Sequence, residues 1–191
     1  MGGSCVGKTT LSRRLASLLG VPHIELDALH HDQGWEEAPA ELLQARVSAA
    51  LDAASGGWVV DGNYRAKLGS LVLERADTAV LLALPFGLTF RRALRRTIGR
   101  TITREELYNG NREQIRFLFT RYWIPWWVLQ KHRGYPAEIA ERVAEQSHLD
   151  LVRLGTPEEV ERWLQSIQAT ESMSGSSNDN ARQKTPPLAD T

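Results

Sequence analysis

The sequence has little cysteine, no net charge and no long hydrophobic run, and each shortage limits the class of protein. A single cysteine, Cys5, excludes an internal disulfide and is typical of a reducing compartment. Lys and Arg number 23, as do Asp and Glu, so overall charge argues neither for nor against a nucleic-acid partner. No apolar run reaches transmembrane length, and the first residues contain no signal-peptide core. We therefore expect a cytoplasmic protein without a membrane partner.

A complete phosphate-binding pattern is present at the amino end of the chain. Residues 2–9 read Gly-Gly-Ser-Cys-Val-Gly-Lys-Thr and match G-x-x-x-x-G-K-[ST]. The outer glycines let the backbone curl so that successive N–H groups point at one anion. Lys8 supplies a charge for the β- and γ-phosphates, and Thr9 offers a hydroxyl to Mg²⁺. The predicted nucleotide-binding residues are Gly2, Gly3, Ser4, Cys5, Val6, Gly7, Lys8, Thr9 and Thr10. The alternative is an ordinary glycine-rich turn.

Short apolar runs alternate with helical patterns along the rest of the chain, as in a parallel α/β fold. The patterns predict strands at 23–26, 58–61, 78–84 and 149–154, and helices at 8–19, 39–54, 86–99 and 157–167. They indicate one domain over 1–168, with an arginine-rich, lid-like insertion at about 91–135. The tail at 169–191 is poor in apolar residues and is predicted to be disordered.

The sequence also lacks the strand that usually enters a phosphate loop, because only Met1 precedes Gly2. Such a strand lies in the middle of a parallel sheet, so we expect its two neighbours to lose a partner. Our hypothesis is that the native protein starts several residues upstream of Met1.

Two acidic residues are predicted at the carboxyl ends of strands, where ligands bind in open α/β sheets. Asp61 follows Trp58-Val59-Val60 and can hold Mg²⁺ opposite the Thr9 hydroxyl; alternatively, Asp61-Gly62-Asn63 is only a turn. Asp27 can bind an acceptor hydroxyl, accept its proton or help to hold the metal, or it can be only a helix or turn cap. The adjacent His30 and His31 lack a spaced third ligand and are not expected to bind a metal.

Between Arg91 and Arg121, arginines outnumber acidic residues, and Arg92, Arg96 and Arg100 share one helical face. Three interpretations remain open. The segment is a lid whose arginines, including Arg112, stabilise a transferring phosphoryl group, or a nucleic-acid surface, or a solvated basic face. The segment is followed by an aromatic cluster that either packs the lid onto its domain or stacks on bases, formed by Trp123, Trp126 and Trp127.

Together these motifs resemble those of the adenylate-kinase-related P-loop kinases, and within that group the topology modulation (FlaR-like) proteins. The resemblance spans residues 2 to about 164. It rests on the phosphate loop, on Ile24-Glu25-Leu26-Asp27, on Val60-Asp61-Gly62-Asn63-Tyr64, on the arginine-rich helix and on Leu107-Tyr108-Asn109-Gly110-Asn111-Arg112-Glu113. It implies a three-layer α/β/α fold with a parallel five-stranded sheet whose central strand enters the loop. It also implies ATP with Mg²⁺ and transfer to a small acceptor.

The chain departs from that family pattern in two places. The first strand is missing, and the strand at 78–84 ends without an acid, so the magnesium ligands fall to Thr9 and Asp61. The first functional hypothesis is therefore a small-molecule kinase with catalytic residues Lys8, Asp61, Arg92, Arg96, Arg112 and Asp27. The second is a nucleotide-dependent, nucleic-acid-binding regulatory ATPase. The acceptor and the oligomeric state stay open.

Overall fold

Strands and helices alternate in the computed structural model, which describes residues 1–103, residue 109 and residues 135–182. The helices are α1 (Lys8–Leu19), α2 (Leu26–His30), α3 (Ala40–Ala53), α4 (Arg65–Leu68), α5 (Phe86–Thr103), α6 (Tyr135–Ala144) and α7 (Pro157–Arg182). The strands are β1 (His23–Glu25), β2 (Val59–Asp61), β3 (Thr78–Leu82) and β4 (Asp150–Leu154). Among these described helices, none has the length and apolar character needed to cross a membrane.

The strands form two parallel pairs, which confirms the predicted α/β fold class. Strand β1 pairs with β2, with Ile24 opposite Val60. Strand β3 pairs with β4, with Val80 opposite Val152. Parallel neighbours need a crossover between them, and here helices and turns provide it.

Met1 and Gly2 lie beside β3, at the gap between the two strand pairs. Leu82 N donates to Met1 O at 2.9 Å, the Met1 amino group donates to Val80 O, and Gly2 forms a parallel bridge with Leu82. Within the described residues, β2 and β3 are not paired with each other, and a cavity of about 400 Å³ lies between them. Burial, helped by the charge of Lys8, lowers the pKa of the Met1 amino group to about 5.

The side chains of β3 alternate between two apolar layers, because successive residues of a strand point to opposite faces. Ala79 and Leu81 pack with Ile139 and Val143 of α6. Leu82 packs on the opposite side, in the layer formed by Val6, Leu11, Leu84, Leu154 and Leu164. A third apolar cluster joins β1 and α3 through Ile24, Leu26, Ala38, Leu43, Val47, Leu51 and Leu68. Helices therefore cover both faces of β3.

Most predicted elements agree with the structure to within a few residues, and two boundaries differ. Strand β1 ends at Glu25, so Asp27 lies in the first turn of α2 rather than at the strand end itself. Helix α7 is longer than the predicted 157–167 and continues to Arg182, and the disorder predicted for 169–191 stays a prediction. No proline interrupts the additional helical residues, and the Thr170 and Ser172 hydroxyls bond to carbonyls four residues earlier.

Candidate nucleotide and acceptor sites

The phosphate loop turns into α1 at Gly7, whose φ of 102° is one that residues with side chains rarely adopt. A Cβ there would lie 3.4 Å from Arg92 Nη1, so the arginine approaches the loop where the side chain is missing. Lys8 folds back over the loop and its Nζ donates to Gly3 O at 2.7 Å. The loop backbone therefore curves back toward the Lys8 ammonium group.

Lys8 is buried among charges of both signs. Burial lowers the pKa of Lys8, the charges of Asp61 and Asp27 oppose that shift, and Arg96 adds to it. Two carboxylates and one guanidinium predicted as site residues thus lie within electrostatic reach of the same ammonium group. An anion bound beside Lys8 would hold it charged by the same electrostatic effect as the carboxylates.

Thr9 and Asp61, the two predicted magnesium ligands, are in direct contact. Thr9 Oγ1 donates to Asp61 Oδ2 at 2.5 Å, and Asp61, the last residue of β2, is only 6% exposed. A hydroxyl and a carboxylate oxygen are hard donors that fit Mg²⁺, which keeps several waters and needs few protein ligands. In the described part of the chain, no cluster of three or more His, Cys, Asp or Glu side chains has metal-binding geometry. The Thr9–Asp61 pair is the place where these residues fit Mg²⁺.

A cavity of about 470 Å³ opens above the loop. Its walls are the loop residues, Arg92 and Arg96 of α5, and Pro157 and Glu161 of α7. Arg92 Nη1 donates to Val6 O at 3.0 Å, so this arginine is attached to the loop backbone. Arg112 lies outside the described residues, as do Trp123, Trp126 and Trp127.

A second polar group of residues forms where β2 leaves the sheet. Gly62 has φ 138°, and a Cβ there would lie 2.5 Å from Leu26 Cβ. This close approach brings the segment after β2 against the start of α2. As a result, Tyr64 Oη donates to Asp27 Oδ1 at 2.5 Å, although the two residues are 37 positions apart.

Two histidines surround that tyrosine. His31 Nε2 lies 3.3 Å from Tyr64 Oη, and the His30 ring centroid lies 4.2 Å from that of Tyr64. His30 is 2% exposed, and its Nε2 lies 3.4 Å from Glu37. Burial, followed by the charge of Lys67, lowers the pKa of His30.

Asn109, from the arginine-rich segment, also contacts this group. Its side-chain amide donates to Ala28 O at 3.2 Å and to His31 O at 2.5 Å.

Sequence reasoning identified Asp27 but gave no role to Tyr64, Glu37 or Lys67. The available signal for Tyr64 was an aromatic hydroxyl just after Asp61-Gly62-Asn63. Trp35 lies edge-on to His31, with the two ring centroids 5.3 Å apart.

A loop that curls around a lysine at the start of a helix, inside a parallel α/β fold, defines a P-loop protein. No protein-family model matches the chain, and no curated protein matches it. Among solved structures, it is similar to shikimate kinase from Bacteroides thetaiotaomicron, with 17% identity, a TM-score of 0.45 and coverage of 90% of this chain and 95% of that one. It is also similar to a candidate kinase from Chloroflexus aurantiacus, with 18% identity, a TM-score of 0.45 and coverage of 88% and 95%.

Proposed function

We propose that the chain is a cytoplasmic kinase that transfers the γ-phosphoryl group of ATP to a hydroxyl of a small acceptor. The observation that supports this best is the pair of carboxylates around Lys8. Asp61 contacts the Thr9 hydroxyl, and Asp27 acts on the same ammonium from the side of Tyr64. Asp61 fits a magnesium ligand, and Asp27 fits a base for the hydroxyl that attacks the γ-phosphorus, that of an acceptor or, more slowly, that of water.

On the nucleotide side, the loop N–H groups and Lys8 would bind the β- and γ-phosphates, with Thr9 and Asp61 as the magnesium ligands. Magnesium, when bound, supplies charge that neutralises the transferring group. Arg92 and Arg96 line the cavity and are close enough to add positive charge there. Arg112 is proposed as a third arginine of this set on the sequence pattern alone.

On the acceptor side, Asp27 would receive the acceptor hydroxyl. As the acceptor oxygen bonds to the γ-phosphorus, the bond from the γ-phosphorus to the β–γ bridging oxygen breaks and ADP leaves. The hydroxyl proton passes to the Asp27 carboxylate. The resemblance to topology modulation proteins rests on the motifs that contain these residues, and we propose that membership together with the activity.

The experiment is a measurement of MgATP consumption with and without a panel of nucleosides, nucleoside monophosphates, small sugars and small acids. Lys8→Ala is the test variant. Arg75→Ala is its control, because Arg75 is a cation that pairs with Asp52 on the surface, outside the loop. Loss of one preorganised cation should reduce turnover about 100-fold or more, while the control keeps most of it.

Stimulation by one acceptor that disappears in Lys8→Ala would support the kinase and name its substrate. Near-normal turnover in Lys8→Ala would refute the assignment. Slow hydrolysis indifferent to every acceptor would favour the alternative, a nucleotide-dependent nucleic-acid-binding ATPase. Exposed Arg91 and Arg95 would then contact phosphates, and DNA affinity would fall steeply with salt.

A further inference from the structure

We propose that Tyr64 is a positioning residue that orients the Asp27 carboxylate toward the acceptor and also fixes the tautomer of His31. This deepens the proposed function and rests on it for its catalytic consequence. The contact itself can be tested without any turnover.

The first argument is the geometry of the phenol. Tyr64 Oη lies 2.5 Å from Asp27 Oδ1, within the range of a strong hydrogen bond to an ionised carboxylate. Tyr64 precedes α4, and Asp27 lies in α2, so the bond joins two short helices. One carboxylate oxygen is thereby held, and rotation of the Asp27 side chain is restricted.

The second argument comes from counting protons. The phenol has one hydrogen, and an ionised carboxylate can only accept, so that hydrogen points to Asp27. His31 Nε2, at 3.3 Å from the same oxygen, must then be the donor. The neutral His31 ring therefore carries its hydrogen on Nε2. Its Nδ1 is buried, with no hydrogen-bond partner within the described residues, and is the bare nitrogen.

The third argument is that the ring itself is fixed. The His30 ring packs against the Tyr64 ring, and buried His30 approaches Glu37, which Lys67 contacts at 2.9 Å. The Tyr64 hydroxyl is thus directed by packing on one side and by His31 on the other. A base whose oxygen is already oriented loses less freedom on the way to the transition state.

The contact is tested by NMR on the full-length chain without ligand, comparing the wild type with Tyr64→Phe. We expect the wild-type His31 ring to show the Nε2–H pattern in long-range ¹H–¹⁵N spectra. In Tyr64→Phe that pattern should become a tautomer mixture, and the Asp27 carboxyl ¹³C signal should shift. His148, whose Nε2 lies near Leu73 O on the surface, is the internal reference and should not change.

The catalytic consequence is tested by a double-mutant cycle with MgATP and water as the acceptor. Tyr64→Phe should lower kcat about tenfold, the effect of losing one hydrogen bond to a charged group, with little change in KM for MgATP. In an Asp27→Asn background, the same change should have almost no further effect, because the carboxylate to be positioned is absent. Ser70→Ala removes an exposed hydroxyl that contacts Glu74 and is the control.

An unchanged His31 pattern and Asp27 signal in Tyr64→Phe would overturn the inference whatever the turnover. Additive effects in the cycle would also overturn it, because they would assign Tyr64 a purely structural role. Absence of all MgATP turnover in the wild type would instead refute the proposed function, and the NMR result would then decide the contact alone.

Discussion

The nucleotide side and the acceptor side of this molecule are built in different ways. On the nucleotide side, the loop and the start of α1 come from one continuous stretch, and Asp61 is the main addition from elsewhere. On the acceptor side, α2, the segment after β2 and the Glu37 region meet only after folding, through Tyr64, Asp27 and His30. A phosphate site can therefore be formed by residues close together in sequence, whereas a site that selects an acceptor depends on tertiary packing.

The two sides also differ in how neighbouring charges change the pKa of a buried basic group. Burial lowers the pKa of Lys8, but the two carboxylates Asp61 and Asp27 oppose this shift and stabilise the charged form of the lysine. His30 is buried with Lys67 and His31 nearby, both of which lower its pKa, against the weaker opposing effects of Glu37 and Asp27. We expect the nucleotide side to be prepared for an anion and the acceptor side to be kept neutral at His30.

The largest expected effects are on turnover, and they distinguish the roles of the Asp61 and Asp27 carboxylates. Asp61→Asn should lower turnover about 100-fold and raise the Mg²⁺ concentration that the protein requires, because a magnesium ligand is lost. Asp27→Asn should lower phosphorylation of the acceptor by a similar factor and leave Mg²⁺-dependent ATP binding unchanged. Titrating Mg²⁺ into the protein with a fluorescent ATP analogue distinguishes them.

Asp52→Asn is the control for both variants, since Asp52 pairs with Arg75 on the surface. Equal magnesium requirements in Asp61→Asn and Asp27→Asn would break the division between the two sides.

The second effect concerns the close approach that brings the acceptor residues together. Gly62→Ala should reduce the free energy of unfolding by about 3 kcal/mol, since it adds steric overlap with Leu26 to an unfavourable φ. Gly20→Ala, in the left-handed helical region at φ 66° and ψ 27° with nothing within 4 Å of the new Cβ, is the control. It should cost about 1 kcal/mol. Urea unfolding of the two variants measures the difference, and equal losses would show that the Leu26 contact is unimportant.

The smallest expected effect is a pH dependence that originates at His30. Because its folded-state pKa lies below the ordinary 6.5, the unfolded chain binds a proton more readily, and stability should fall as pH decreases below about 6.5. His30→Gln should remove this part of the slope and leave the profile above that pH unchanged. Thermal unfolding between pH 5 and 8 tests it.

The Met1 amino group titrates in the same range, so the His30 contribution is the difference between wild type and variant. His148→Gln, at an exposed histidine, should keep the wild-type slope. An unchanged slope in His30→Gln would contradict the assignment.

Much of the fold could be predicted because its signals are local. Helix α1 was predicted over Lys8–Leu19 and is found there, and the strands β2 and β4 begin within one residue of their predicted starts. Helix ends were less predictable, because α7 continues through residues whose composition gives no apolar face. The structure does not distinguish a lid, a nucleic-acid surface and a solvated basic face for the arginine-rich segment, because Arg112 lies outside the described residues.

Residue types at short, fixed spacing were enough to predict the phosphate loop, the helix that follows it and the two acidic candidates. Tertiary structure alone decided that Tyr64 bonds to Asp27, that His30 is buried, and that β2 and β3 remain apart around Met1. The physical reason is distance along the chain. Contacts between residues tens of positions apart depend on how sheets and helices pack, and no short pattern encodes them.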